Sequence, residues 1–170
     1  NQKRKGLITV GRQTPYKNTD IVVKAANKLK MPLKVVGNGP EHENLEDMAK
    51  FNINFITDAS NQDVQEYLAT SELFVFAAHE DFGIAPVEAM ASGAPVVAYG
   101  QGGALDYVNS KTGVLFSKQT VGSASEAINK ALKNKWDSKL IARQANKFSK
   151  KSFQTKLKKL VVKESKNHGK

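Results

Sequence analysis

Short apolar runs alternate with helical patterns along this chain. Six continuous apolar stretches read as strands: Leu7–Val10, Leu33–Val36, Ile53–Ile56, Leu73–Phe76, Pro95–Ala98 and Gly113–Phe116. None alternates apolar with polar residues, which is the pattern of strands covered on both faces. Helical patterns lie between them. Thr19–Lys30 places Ile21, Val22, Ala25, Ala26 and Leu29 along one stripe. Asn44–Lys50 is a short helix. Asp63–Ala69 has Ser60 or Asn61 as its N-cap, and Pro86–Ala91 lies between the fourth and fifth strands. Ser123 and Glu126 have the spacing of a capping box opening a helix that runs to about Leu132.

This βαβα order predicts an α/β fold: a parallel sheet of about six strands with helices on both faces. Ligands of such sheets bind beyond the carboxyl ends of the strands. The loops to inspect are therefore Gly11–Lys17, Gly37–Pro40, Thr57–Asn61, Ala77–Gly83 and Tyr99–Gly103.

Composition narrows the classes. The chain has 170 residues, 40% hydrophobic and 25% charged, which is globular and large enough for one domain with a real core. There is no cysteine, hence no disulfide framework and no thiolate chemistry. No apolar run approaches the roughly 20 residues that span a bilayer, and nothing resembles a signal peptide, so a cytoplasmic protein is expected. The net charge of +10 is uneven. Residues 1–137 hold 15 basic and 15 acidic residues, whereas 138–170 hold 11 basic residues and one acid, Glu164. The first residue is Asn1, and the polar, basic segment 1–6 reads as a linker, so a piece of a longer protein is expected.

The loops carry candidate chemistry. After the first strand, Gly11 permits a sharp turn, and Arg12 and Lys17 offer a planar fork of donors and a compact charge that suit a diphosphate. Two solvated basic residues are the plainer reading. After the second strand, Gly37, Asn38 and Gly39 form a turn or a place where backbone approaches a ligand. The spacing is not GxGxxG, and no Walker A sequence occurs. After the fourth strand, Gly83 precedes a helix whose free N–H groups can meet an anion. Glu80 and Glu88 could accept hydrogen bonds from vicinal sugar hydroxyls, although two carboxylates at that spacing are a weak signal by themselves. No Asp-x-Asp or histidine spacing implies a metal.

Three stretches carry a family resemblance: Gly11-Arg12 with Tyr16-Lys17-Asn18; Val36 to Glu41; and Glu80 to Ala98. Together they resemble the donor-binding domain of GT-B glycosyltransferases of family 4, group 1. The third stretch contains the E-x7-E pattern through Glu80 and Glu88. The resemblance covers roughly residues 7–117. It implies one Rossmann-like half of a GT-B fold and retaining transfer of a hexose from a nucleotide-sugar, with no cofactor or metal required. It assigns Arg12 and Lys17 to the diphosphate, Glu80 to the sugar and Glu88 to the ribose. Gly11, Gly37, Asn38, Gly39, Phe82, Gly83 and Ile84 would line the donor, and Thr57 and Asp58 would sit by the base. The Glu80–Ile84 wording is most similar to the GDP-mannose branch, and UDP-sugars stay open. Asp106 stands where the family has Glu after Gly102-Gly103.

The resemblance also implies a missing N-terminal acceptor domain, without which residues 7–150 would bind donor and not transfer sugar. Residues 151–170 read as a basic amphipathic helix and tail, with Phe153, Leu157, Leu160 and Val161 on one stripe. That helix would dock on the other domain or lie on an anionic membrane surface. Two alternatives of other classes stand beside this reading. One is a nucleic-acid-binding module using the basic tail, which lacks interleaved aromatics. The other is a non-enzymatic partner domain that kept the fold.

Overall fold

The structure, a computed structural model, describes residues 4–167. Six parallel strands form one sheet in the order β3-β2-β1-β4-β5-β6. They are β1 (Leu7–Val10), β2 (Leu33–Val36), β3 (Ile53–Ile56), β4 (Leu73–Phe76), β5 (Val96–Tyr99) and β6 (Gly113–Phe116). Register runs Leu7 with Leu33 on one side and Leu7 with Leu73 on the other. The expected α/β parallel sheet with helices on both faces is what forms.

Alternation within each strand feeds two cores. In β4, Leu73 and Val75 face one side, and Phe74 and Phe76 face the other. The first core is closed by α1 (Thr19–Leu29) and α6 (Val121–Leu132), through Ile21, Val22, Ala124 and Ile128. The second is closed by α3 (Asn61–Thr70), α4 (Ile84–Ala91) and α7 (Ser138–Ala145), through Leu68, Ala89, Met90 and Ile141. Burying a side chain of the size of Phe74 or Leu73 contributes about 1.5–3 kcal/mol, so a sheet covered on both faces supplies the main stabilisation.

Several boundaries differ from expectation. Pro95 has no N–H for the ladder, so β5 starts at Val96, whose N–H donates to Thr112 O at 3.0 Å. Helix α1 stops at Leu29 because Lys30 takes the left-handed conformation, φ 53°, as its C-cap. Helix α2 (His42–Met48) starts before Asn44, and α4 starts at Ile84, leaving Pro86 in the first turn, where its missing N–H leaves no bond unmade. The capping box expected at Ser123 and Glu126 does not form. Thr120 caps α6, its hydroxyl accepting from Ser123 N–H, and the box belongs to α3, between Ser60 and Asp63. Hydrogen bonds from Ser60 hold the Asp63 carboxyl below the usual aspartate range.

Residues 1–3 of the expected linker lie outside the described residues, and Arg4–Gly6 are tied to the body. The Arg4 guanidinium donates to Leu68 O and Ser71 O at 2.9 and 3.1 Å, and Lys5 N–H donates to Thr70 O at 2.9 Å. The short helix α5 (Ala104–Tyr107) follows β5. At the other end, α8 (Lys150–Asn167) leaves Phe153, Leu157, Leu160, Val161 and Val162 exposed. Among the described residues, no helix is long and apolar enough to cross a membrane.

Candidate functional site

Strand order reverses between β1 and β4, so the loops leaving these neighbouring strands diverge and open a crevice at the carboxyl edge of the sheet. A cleft of about 680 Å³ lies there. Gly11, Tyr16 and Lys17 line it from the β1 loop, and Glu80, Phe82, Gly83, Ile84 and Glu88 from the β4 loop and α4. A 3₁₀ turn, Pro15–Lys17, ended by Asn18 in the left-handed conformation (φ 50°), presents Lys17 to this cleft. Its ammonium forms an ion pair with Glu80, each side chain about one-fifth exposed (17% and 20%). The same ammonium lies 5.2 Å from the Tyr16 ring centre and 5.6 Å from that of Phe76. Both are within cation–π range.

Arg12 stands off the main cleft. It borders a small recess that shares Gly11 and Lys17 with the cleft, and its side chain is exposed. Gly37, Asn38 and Gly39 do not line the cleft either. Their glycines answer a loop-to-loop contact: a Cβ at Gly37, where φ is 117°, would lie 2.3 Å from Gly11 O, and one at Gly39 would lie 2.4 Å from Gln13 O. The two loops interlock so closely that only hydrogen fits. Thr57 and Asp58 are exposed at the end of β3, away from the cleft, with Thr57 Oγ1 3.5 Å from the Asp58 carboxylate.

The Glu80 loop rests on the turn after β5. Gly103 N–H donates to Glu80 O at 2.8 Å, and a Cβ at Gly102 (φ 60°) would lie 2.3 Å from that same oxygen. Behind Gly83 stands Tyr107, whose hydroxyl lies 2.7 Å from where a Gly83 Cβ would be. Burial pushes the Tyr107 phenol well above its ordinary range, and the nearby charges of Glu80 and Asp106 push the same way. Glu88, one turn into α4, is exposed and borders both the cleft and a groove of about 590 Å³ between α3 and α4. Among the described residues no three His, Asp or Glu side chains gather as a metal site.

The cleft thus brings together Gly11, Lys17, Glu80, Phe82, Gly83, Ile84 and Glu88 from the expected set. Arg12 borders the adjoining recess instead, and Gly37–Gly39 and Thr57–Asp58 are on neighbouring loops. Sequence reasoning passed over Gln13 and Tyr107. Gln13 is 1% exposed and Tyr107 3%, and no local pattern marks a loop glutamine or a short-helix tyrosine as buried.

A profile described as "Glycosyl transferases group 1" matches residues 1–154. An uncharacterized glycosyltransferase of Haemophilus influenzae is 34% identical over 108 residues, covering 57% of this chain and 30% of that protein. The D-inositol 3-phosphate glycosyltransferase of Mycobacterium bovis is 33% identical over 137 residues, 73% of this chain and 28% of that protein. The crystal structure of Anabaena HepE in complex with UDP and glucose superposes with a TM-score of 0.75 at 22% identity, covering 94% of this chain and 49% of that one. The chain therefore spans about 30% of the length of the curated relatives it matches. Nothing in these matches supports a nucleic-acid-binding module. With the profile matching nine-tenths of its length, this chain belongs to the group 1 glycosyl transferases.

Proposed function

We propose that this chain is the nucleotide-sugar-binding domain of a retaining glycosyltransferase. The observation that carries the reading is the meeting of Lys17, Glu80 and Glu88 on one cleft at the switch point of the sheet. Lys17 and Arg12 supply positive charge where a nucleoside diphosphate leaves. In the transfer, the bond from the sugar's anomeric carbon to the diphosphate oxygen breaks and its electron pair stays on that oxygen. A preorganised ammonium and guanidinium stabilise that developing charge. An acceptor hydroxyl oxygen forms the new bond to the anomeric carbon, and its proton passes to the departing diphosphate. Glu88 accepts from the ribose hydroxyls, and Glu80 faces the sugar. Gly83, which caps α4 with φ 81°, sits with Phe82 and Ile84 along the donor. Gly11, Gly37, Asn38 and Gly39 shape the floor behind the phosphates, and Thr57 and Asp58 lie toward the base.

The wording of Glu80–Ile84 supports GDP-mannose as donor. A UDP-hexose is the second reading, favoured by the UDP and glucose of the HepE complex. The acceptor belongs to a further domain, since this chain matches only about 30% of the length of its relatives, and the isolated chain binds donor without transferring sugar. The exposed apolar stripe of α8 is read as the face toward that domain; binding to anionic vesicles would assign it to a membrane surface instead. Titration calorimetry with GDP and UDP tests the donor reading. Binding of one of them, lost in Lys17→Ala, is expected. No binding of either at millimolar concentration would overturn it.

A further inference from the structure

We propose that Gln13, held by His42, is a positioning residue for the donor diphosphate, because it locks the Arg12 loop to the neighbouring Gly37–Pro40 loop. The inference rests on the donor reading of the cleft. Gln13 is polar yet only 1% exposed, and a buried amide is costly unless both its ends are bonded. Both are bonded. Nε2 donates to Gly37 O at 2.7 Å, and Oε1 lies 2.8 Å from His42 Nδ1. Because the amide nitrogen is committed to a carbonyl, the oxygen faces the imidazole, which makes Nδ1 the protonated nitrogen of His42.

His42 is itself anchored. Its ring meets Phe55 of β3 edge to face at 5.4 Å. The backbone of Gln13 repeats the connection, its N–H donating to Asn38 O at 2.9 Å and its carbonyl accepting from Glu41 N–H at 3.0 Å. All four bonds of Gln13 thus reach the loop after β2 or the start of α2.

Arg12 is the residue between two pins. On one side Gly11 N–H donates to Val36 O at 3.0 Å; on the other stands Gln13. The guanidinium meanwhile is exposed, with no hydrogen bond or ion pair among the described residues. An exposed cationic head on a backbone fixed from both sides leaves less backbone ordering to lose when it meets an anion. An aliphatic side chain at position 13 would fill the space but leave Gly37 O and the imidazole unpartnered, and the loop free to shift.

The test is calorimetry on this chain with GDP, UDP and inorganic pyrophosphate. Gln13→Leu and His42→Leu should each weaken the binding seen for the parent about tenfold. His42→Gln, which can still donate to Gln13 Oε1, should stay within about threefold of the parent. In an Arg12→Ala background the Gln13→Leu effect should vanish, because the residue acts through that arginine. Unchanged affinity in both leucine variants would overturn the inference while leaving the donor reading intact. So would a Gln13→Leu loss that persists undiminished without Arg12. Should Gln13→Leu fail to fold, His42→Leu breaks the same contact from its more accessible end, in the Arg12 and the Arg12→Ala backgrounds alike. A parent chain that binds none of the three probes removes the donor reading, and this inference with it.

Discussion

The Lys17 ammonium and the Glu80 carboxylate pair across the mouth of the cleft although 63 residues separate them in the chain. The contact exists because β1 and β4 are neighbours in the sheet, so the loops that leave them face each other. In the donor reading the two side chains have opposite effects on a bound diphosphate. Lys17 attracts it, and Glu80 both repels it and competes for Lys17. Glu80→Gln is therefore expected to tighten GDP or UDP binding by about three- to tenfold, and Lys17→Ala to weaken it about tenfold or more. Calorimetry on the two variants reads the sign. Weakening in both would mean that the pair acts only as a bridge holding the cleft together.

Gly102 and Gly122 predict opposite responses to the same substitution. A Cβ at Gly102 meets Glu80 O at 2.3 Å in a backbone of φ 60°, whereas one at Gly122, in the first turn of α6, meets nothing within 4 Å. Gly102→Ala should cost about 2 kcal/mol or more and move the Glu80 loop. Gly122→Ala should stabilise by about 0.5 kcal/mol. Urea unfolding followed by the single tryptophan, Trp136, measures both.

Phe74 and Phe51 are the same residue type in opposite surroundings. Phe74 is fully buried in the centre of the sheet, and Phe51 is 97% exposed. Phe74→Ala should destabilise by about 3–5 kcal/mol, and Phe51→Ala should stay within about 0.5 kcal/mol of the parent. Equal costs in urea unfolding would contradict the burial pattern.

Tyr107 predicts an alkaline limit to stability. Its phenol is raised, first by burial and then by Glu80 and Asp106, so the folded chain holds a proton that the unfolded chain releases above about pH 10. The contribution is intact below the unfolded value and is lost as pH climbs through the folded one. The urea midpoint should fall as pH rises above about 10, less steeply in Tyr107→Phe. Phenolate absorbance should show a late-titrating tyrosine that disappears in Tyr107→Phe.

The strands were legible because burial on both faces leaves a mark in composition: Leu73, Phe74, Val75 and Phe76 can sit in sequence only where both sides are covered. The parallel class followed from the helices between them. The β4–α4 segment was legible for another reason. Glu80, Gly83 and Glu88 lie close together in the chain, and a loop leading into a helix fixes their mutual placement locally. Elsewhere local reading erred. Ser123 and Glu126 had the spacing of a capping box, but the helix begins earlier, at Val121, behind Thr120.

What the chain order alone determines, then, is which residues lie at the carboxyl ends of strands. Which of those ends are neighbours is decided by sheet order, through long-range packing that leaves no local signature. That order sets Lys17 against Glu80 and turns Gln13 inward between Gly37 and His42. It also leaves Thr57 and Asp58 two strands away from the β1 loop. A hydrogen bond between residues far apart in the chain becomes available only once the surfaces that bring them together have been buried. For that reason Lys17, Glu80 and Glu88 could be named from the sequence as candidates that line the cleft, and the partner that each side chain takes could not.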